Sequence, residues 1–270
     1  MQQGWGEWSP LAGELDGDVN GWRGVSAEQQ CQDRPYDYLP DLPLVLEWAE
    51  RTGGPILDLA CGNGRLSLAL ARHGYDVVGL DFNPHFIQRA REEAARLPAE
   101  AAARVRFEVG DVRTFRLRER FGLVIMMDQA FKYLLHHDDH LSCLQSVRDH
   151  LRPDGLFLVE HRCALRIPEG TSEPYAYTYE GREWIGVDVH DPILQIGAAM
   201  IRPEDDPEGE VELDPCRFFT YQELSLLHRV VGFREEAVLQ DLDERGPGAA
   251  AFDVALVLRP AKPWGQTVGL

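Results

Sequence analysis

The sequence predicts a doubly wound α/β fold with an antiparallel β region inserted after its fifth strand, and three observations carry that prediction. Between residues 56 and 161 short apolar runs alternate with amphipathic helical stretches. The first of these runs feeds a glycine-bearing turn, Gly62-Asn63-Gly64. Beyond Arg162 the helical stretches stop, while runs rich in Tyr, Trp, Val and Ile continue to about residue 203. Strands covered on both faces read as unbroken apolar runs, and a crossover helix between each pair makes the sheet parallel.

Taken in order, residues 1–35 are rich in Gly, Asp, Gln and Ser and carry Trp5, Trp8 and Trp22 without periodicity. They are expected to form a flexible arm whose tryptophans dock over a site entrance or onto a second subunit, the latter implying a homodimer. Leu42, Val45, Leu46 and Ala49 recur at helical spacing, and Gly53-Gly54-Pro55 ends that helix. A strand at 56–60 follows, then a helix at 65–73, a strand at 75–81, a helix at 84–96 and a strand at 105–111. Strand 121–127, helix 138–151 and strand 155–161 complete the alternation. The insertion contains YAYTY, REWIGVDV and ILQIGAAMI as strands; EDDPEGEVELD, with seven acids in eleven residues, is expected to be a solvated hairpin tip. Thr220 caps a last helix with Glu223 at the capping-box position, Gly232 stops it, and strands at 233–240 and 251–258 close the fold.

The composition bounds the function. The 270 residues are 44% hydrophobic and 27% charged, enough for one elaborated domain. With 45 acidic against 27 basic residues the formal charge is −18, a field that repels phosphate backbones and anionic lipid surfaces. Small neutral or cationic molecules are therefore the expected partners, not nucleic acid or membrane. No window approaches the roughly 20 apolar residues of a membrane-spanning helix, and the N-terminus lacks the order of a secretory signal, so a cytoplasmic protein is expected. Five scattered cysteines without a CxxC pair predict neither a disulfide framework nor a structural zinc site.

Strand one delivers Asp58, Ala60, Gly62 and Gly64 to the first strand-to-helix turn, where ligands of such sheets bind. The glycines let a ligand approach the backbone, and the helix N-terminus offers N–H groups to a negative group such as a carboxylate. A dinucleotide fingerprint needs a third glycine where Ser67 stands, and Asp58 adds negative charge, so a cationic ligand suits the turn better than a pyrophosphate. Seventeen residues after Gly64, strand two ends in Asp81, a carboxylate placed to accept both hydroxyls of a ribose, with Phe82 beside it to flank an adenine. Strand three ends in Asp111 and Val112, which can meet an adenine amino group and ring nitrogen.

The successive runs ILDLACGNGRLSLALARHGYDVVGLDFNP, VGDVRTF, FGLVIMMDQAFKYL and LRPDGLFLVE resemble the motifs of class I S-adenosylmethionine-dependent methyltransferases over about 54–161. FFTYQELSLLHRVVGF and FDVALVLRP fit the same family near the C-terminus. The resemblance implies a seven-stranded Rossmann-like sheet with its last strand antiparallel and S-adenosyl-L-methionine across the strand tips. It implies that Ala60, Gly62 and Gly64 contact the methionine portion, with Asp58 near its amino group. It further implies that Asp81 binds the ribose, that Asp111 with Val112 reads the adenine, and that Met127 and Asp128 line the route to the acceptor. Ala60 departs from the usual glycine and is expected to be tolerated at a negative φ. The absence of an Asn/Asp-Pro-Pro-aromatic run after strand four argues against base or glutamine methylation.

The β insertion and the Arg34-Pro35-Tyr36-Asp37-Tyr38 segment resemble small-molecule N- and O-methyltransferases, in which a tyrosine closes over the donor. Tyr36 is the match and Tyr38 the competitor. The resulting organisation is an arm at 1–35, a methyltransferase domain at 36–162 and 216–260, and a lid at 163–215. The expected activity is methyl transfer to a nitrogen, and second to an oxygen, of a small metabolite.

Each residue also has a plainer reading. Cys61 sits inside the turn as a structural residue rather than a nucleophile. His136, His137 and His140 with Asp138 and Asp139 look like a metal cluster, but neighbours on a starting helix diverge, and Asp138 or Asp139 serves as an N-cap. His161, at the end of strand five, is either a general base facing the crevice or a structural histidine, and Asp128 is a substrate-amine anchor or base or a cap for the short helix that follows. Tyr175, Tyr177, Tyr179 and Trp184 alternate, so half of them belong to the core. Against methyl transfer stand a non-methylating reaction such as a cyclisation, a nicotinamide oxidoreductase, and a non-catalytic binding subunit.

Overall fold

The computed structural model describes residues 35–164, 170–179, 182–206, 211–240 and 251–263. The N-terminal arm with its three tryptophans, most of the tip of the acidic hairpin, and the side chains of Tyr177 and Tyr179 lie outside the described residues. Helix α1 (Leu42–Thr52) ends where Gly53 turns left-handed at φ 73° and returns its N–H to the Ala49 carbonyl. Strand β1 (Ile56–Leu59), helix α2 (Arg65–Arg72), strand β2 (Val77–Asp81), helix α3 (Pro84–Ala94) and strand β3 (Val105–Val109) follow the predicted alternation. A short helix α4 (Ala99–Ala102) precedes β3 and was not foreseen, because its Ala-rich turn carries no apolar period. Strand β4 (Phe121–Met126) leads through a 3-10 turn at Ala130–Tyr133 into α5 (His137–His150), and β5 spans Leu151–Ala164.

Beyond β5 lie β6 (Gly170–Thr171), β7 (Tyr175–Tyr179), β8 (Arg182–Asp191), β9 (Ile196–Pro203) and β10 (Glu212–Arg217), then α6 (Tyr221–Val231), β11 (Phe233–Gln240) and β12 (Ala251–Pro260). The main sheet has the order β11-β12-β5-β4-β1-β2-β3. Strands β1 to β5 are mutually parallel, and β12 runs antiparallel to β5. The order reverses beside β1, so the crevice opens at the carboxyl ends of β1 and β4. The second sheet, antiparallel in the order β10-β9-β8-β6 with β7 also on β8, lies between β5 and α6 in sequence.

Two apolar layers flank the main sheet, and strand alternation assigns side chains to them. Leu57, Val124, Phe157 and Val159 face α5 and α6, whereas Ile56, Ile125, Leu156 and Leu158 face α1. The inserted sheet rests its Ile196 and Ala198 on Leu135. Buried Arg217 fastens it, reaching Glu223 Oε1 at 3.0 Å and the Leu135 carbonyl at 3.2 Å. That contact alters the expected capping box: Thr220 Oγ1 accepts the Glu223 N–H at 3.3 Å, but the Glu223 carboxylate goes to Arg217. Among the described residues no helix is long and apolar enough to cross a membrane.

Ala60 has φ 54°, so the expectation of a negative φ does not hold. The turn out of β1 needs a left-handed residue at that point, where a Cβ costs roughly 1–2 kcal/mol. Ala60→Gly is expected to raise stability by about 0.5 kcal/mol, because glycine's greater loss of freedom on folding offsets part of the relief. Urea midpoints would register the gain, and a loss would show that the methyl's packing outweighs the backbone cost.

Candidate active site

The site is built on three strand tips. Asp58, on β1, is buried and accepts a 2.6 Å hydrogen bond from Ser67 Oγ on α2. Burial pushes its carboxyl up to about 7, partly opposed by that hydrogen bond and by Arg65. Between Asp58 and α2 runs the glycine turn, with Gly62 at φ 55° and Gly64 at φ 81°. A Cβ at Gly64 would meet the Phe107 ring at 2.7 Å, while one at Gly62 would meet nothing within 4 Å. Gly64 therefore packs the turn onto the sheet, and Gly62 leaves its outer face open to a ligand.

Asp81 closes the turn from β2. Its Oδ2 accepts the Gly62 N–H and its Oδ1 the Asn83 N–H, both at 2.9 Å. Burial raises its carboxyl, and these backbone hydrogen bonds pull it back. The Phe82 N–H adds a further backbone contact, and of the roughly four acceptor sites of a carboxylate these donors leave capacity for an outside donor. Phe82 beside it is 42% exposed, an aromatic face turned to solvent. Cys61 lies buried in the turn, where burial, then Asp58 and Asp81, hold its thiol far above the usual range, so it is no thiolate nucleophile.

At the third tip Asp111 is engaged by a residue that the sequence did not flag. Arg113 Nε donates to its Oδ1 at 2.9 Å and its Oδ2 at 3.0 Å, and Arg113 Nη1 reaches Asp139 at 3.0 Å. Burial alone would raise Asp111, but the Arg113 hydrogen bonds outweigh it and lower the carboxyl. Asp139 thus ties α5 to this tip and does not cap its helix. The N-cap is His136, His137 Nε2 lies 2.9 Å from Glu223, and His140 Nε2 donates to the Leu134 carbonyl at 2.6 Å. Val112 packs half-buried against the core layer beneath α5.

The segment before α1 is clamped over the glycine turn. Arg65 donates to both carboxylate oxygens of Asp41 at 2.8 Å and to the Tyr38 carbonyl at 2.9 Å. Both side chains of the pair are only 10% exposed. Tyr36 packs against the layer containing Cys61 and Phe107, whereas Tyr38 is 47% exposed. No spacing rule links residues 41 and 65, so the clamp was invisible to local reading.

At the tip of β4, Met127 is buried in the layer facing α1, so its side chain belongs to the core. Asp128 follows at the surface with φ 55°, its N–H donated to Glu160 Oε2 at 2.8 Å. Against its burial, the Arg65 guanidinium is raised chiefly by Asp41, with a smaller contribution from the charge of Asp128.

His161 requires a correction, since the structure removes its imidazole from the crevice. It points to the opposite face from Glu160 and lies 2% exposed among Phe131 (ring centroids 5.0 Å apart), Phe219 (6.2 Å) and His228 (5.6 Å). Neither ring nitrogen of His161 or His228 has a partner among the described residues. Burial holds His161 well below the ordinary histidine value, and the neighbouring His228 and His140 add to that; burial likewise drives His140 and His228 down to about 3. An imidazole without solvent contact or an acceptor in reach cannot relay a substrate proton.

Residues 56–155 match a family model described as a methyltransferase domain. A glycine/sarcosine N-methyltransferase of Aphanothece halophytica is 27% identical over 190 residues, 70% of this chain and 69% of its own length. The CcbJ methyltransferase of Streptomyces caelestis superposes with a TM-score of 0.68 at 25% identity, over 84% of this chain and 91% of that one. The glycopeptide N-methyltransferase MtfA, solved with S-adenosyl-L-methionine, superposes with a TM-score of 0.57 at 27% identity, over 83% and 96% of the two chains.

Proposed function

We propose that this chain, whose residues 56–155 match a methyltransferase domain and whose fold is shared with the CcbJ methyltransferase, is a class I S-adenosylmethionine-dependent enzyme that methylates a nitrogen of a small metabolite, with an oxygen acceptor as the second reading. The observation that carries this is a crevice whose strand tips carry acidic residues, Asp58 and Asp81 buried and Asp128 exposed, an arrangement suited to a cationic donor and an amine. The glycine/sarcosine and glycopeptide N-methyltransferases among the similar proteins support the same choice.

The residues present fit the donor. Gly62 offers an open turn at the start of α2 for its carboxylate, and Asp58 lies ready for its ammonium group. Asp81 has lone pairs for the ribose hydroxyls, Phe82 an exposed face for the adenine, and Asp111 and Val112 line the next tip. When bound, the sulfonium supplies a methyl carbon already activated for in-line attack, so the protein's task is alignment and exclusion of water, worth up to roughly 7–11 kcal/mol in well-oriented cases. Tyr36, packed on the layer of Cys61 and Phe107 just before the clamped segment, closes one side. The inserted sheet roofs the acceptor. Asp128 anchors the amine and takes its proton, since only the neutral amine carries a free lone pair.

Calorimetric titration with S-adenosylmethionine, S-adenosylhomocysteine and NAD tests the donor assignment, followed by amine and hydroxyl acceptors with products weighed. Two adenosyl ligands binding without NAD, and a 14-unit gain on an amine, are the expected results. A product without mass gain would replace methyl transfer by a rearrangement on the same fold. Gain only on hydroxyls would move the reading to oxygen.

Asp58 adds a pH signature. Its folded carboxyl titrates near 7 against 3.8 in the unfolded chain, so the fold keeps a proton that the unfolded chain releases between those values. Asp58 therefore stabilises the free protein in acid, and that contribution fades as pH rises through 7. A cationic donor beside it favours the carboxylate, so binding at pH 7 is expected to release about half a proton. Binding enthalpies in buffers of different ionisation heat would measure this. Asp58→Asn should abolish the release, and an unchanged buffer dependence would refute it.

A further inference from the structure

Asp128 and Gln129 both stand in the left-handed region, at φ 55° and 59°, immediately after β4. Two consecutive non-glycine residues there carry a steric cost that surrounding contacts must offset, and such outliers mark places where geometry is held for a purpose. One such contact comes from β5, where Glu160 Oε2 accepts the Asp128 N–H at 2.8 Å. Glu160 reaches it because β4 and β5 are paired with Met126 opposite Val159, which brings Glu160 alongside the first residues after β4. Strand alternation sends His161 to the opposite face, into the core, and leaves Glu160 half-buried at the crevice.

We propose that Glu160 is a positioning residue that locks the turn after β4, keeping Asp128 and Gln129 left-handed and so fixing where Asp128 stands at the end of β4. The proposal rests on the reading of Asp128 as the residue that meets the acceptor. It assigns Glu160 no contact with donor or acceptor. What the turn needs from residue 160 is an acceptor oxygen of the right length, which the amide of glutamine also supplies.

The test compares wild type, Glu160→Ala and Glu160→Gln by two readouts. In the donor-bound protein without acceptor, amide hydrogen exchange across 127–130 is expected to quicken about tenfold or more in Glu160→Ala and to stay within about threefold of wild type in Glu160→Gln. In steady state, Glu160→Ala is expected to lower kcat/KM for the acceptor about tenfold with donor affinity within about twofold of wild type, and Glu160→Gln to restore most of it. Unchanged exchange in Glu160→Ala, exchange in Glu160→Gln as fast as in Glu160→Ala, or donor affinity falling with Glu160→Ala would each overturn the lock. Kinetics in which Glu160→Gln is as impaired as Glu160→Ala would overturn it too, since the charge would then be what matters. If exchange behaves as expected while no variant methylates any acceptor, the lock stands and the methyl-transfer reading of the crevice falls.

Discussion

Replacing Asp81 with alanine is expected to weaken S-adenosylmethionine binding by about a hundredfold, close to 3 kcal/mol. Two losses add at one residue. The carboxylate that would accept the ribose hydroxyls disappears, and so does the acceptor that holds the Gly62 and Asn83 N–H groups at 2.9 Å. The open glycine turn then loses a side-chain tie to β2, and the two backbone N–H groups are left without that partner. Asp81→Asn should be almost as harmful, because one of the two backbone donors would face an amide NH2 instead of an oxygen. Titration of the purified variant, with a melting curve to show that it is folded, decides the matter. Affinity within threefold of wild type in a folded Asp81→Ala protein would remove Asp81 from the donor site.

Lowering the pH from 7 to 5 is expected to cost the free protein on the order of 2 kcal/mol, a large part of a typical stability of roughly 5–15 kcal/mol. The source is the trio of buried imidazoles. His140 and His228 titrate near 3 in the fold and near 6.5 when unfolded, so below 6.5 the unfolded chain binds protons that the fold refuses. Their contribution is complete above 6.5 and falls as pH drops, by about 2 kcal/mol each at pH 5, and His161 acts in the same direction. Asp58 opposes them, regaining about 2 kcal/mol as it protonates over the same interval. Urea midpoints at the two pH values would measure the balance. His228→Leu should flatten the dependence, whereas equal stability at both pH values would show that the imidazoles take up protons inside the fold.

How far the sequence reaches can be read from single residues. The glycine turn and the tips at Asp58, Asp81 and Asp111 were legible because a parallel sheet with short crossovers puts every strand end at the same rim. Glu160 obeys that rule as well and was passed over in favour of its neighbour His161. Both faces of β5 are apolar, so alternation alone gives two assignments, and only the packing of α5 and α6 selects between them. Ala60 looked compatible with ordinary backbone because φ is not written in residue type. The Arg65–Asp41 clamp, the Arg113 bridge and the Arg217 anchor join residues far apart in sequence or on different elements, and no local period announces them.

The inserted sheet leaves the main sheet at the end of β5 and returns just before α6, and there Cys163 bridges Phe219 in parallel register. Entry and exit are thus neighbours, so the chain between them can be lengthened, shortened or exchanged while the strand tips that hold the donor stay in register, since closing a loop costs little more as it grows. Such an arrangement separates what can drift from what cannot. Over evolutionary time, or in a deliberate graft, the roof is the part through which one transfer chemistry can be offered to successive new acceptors.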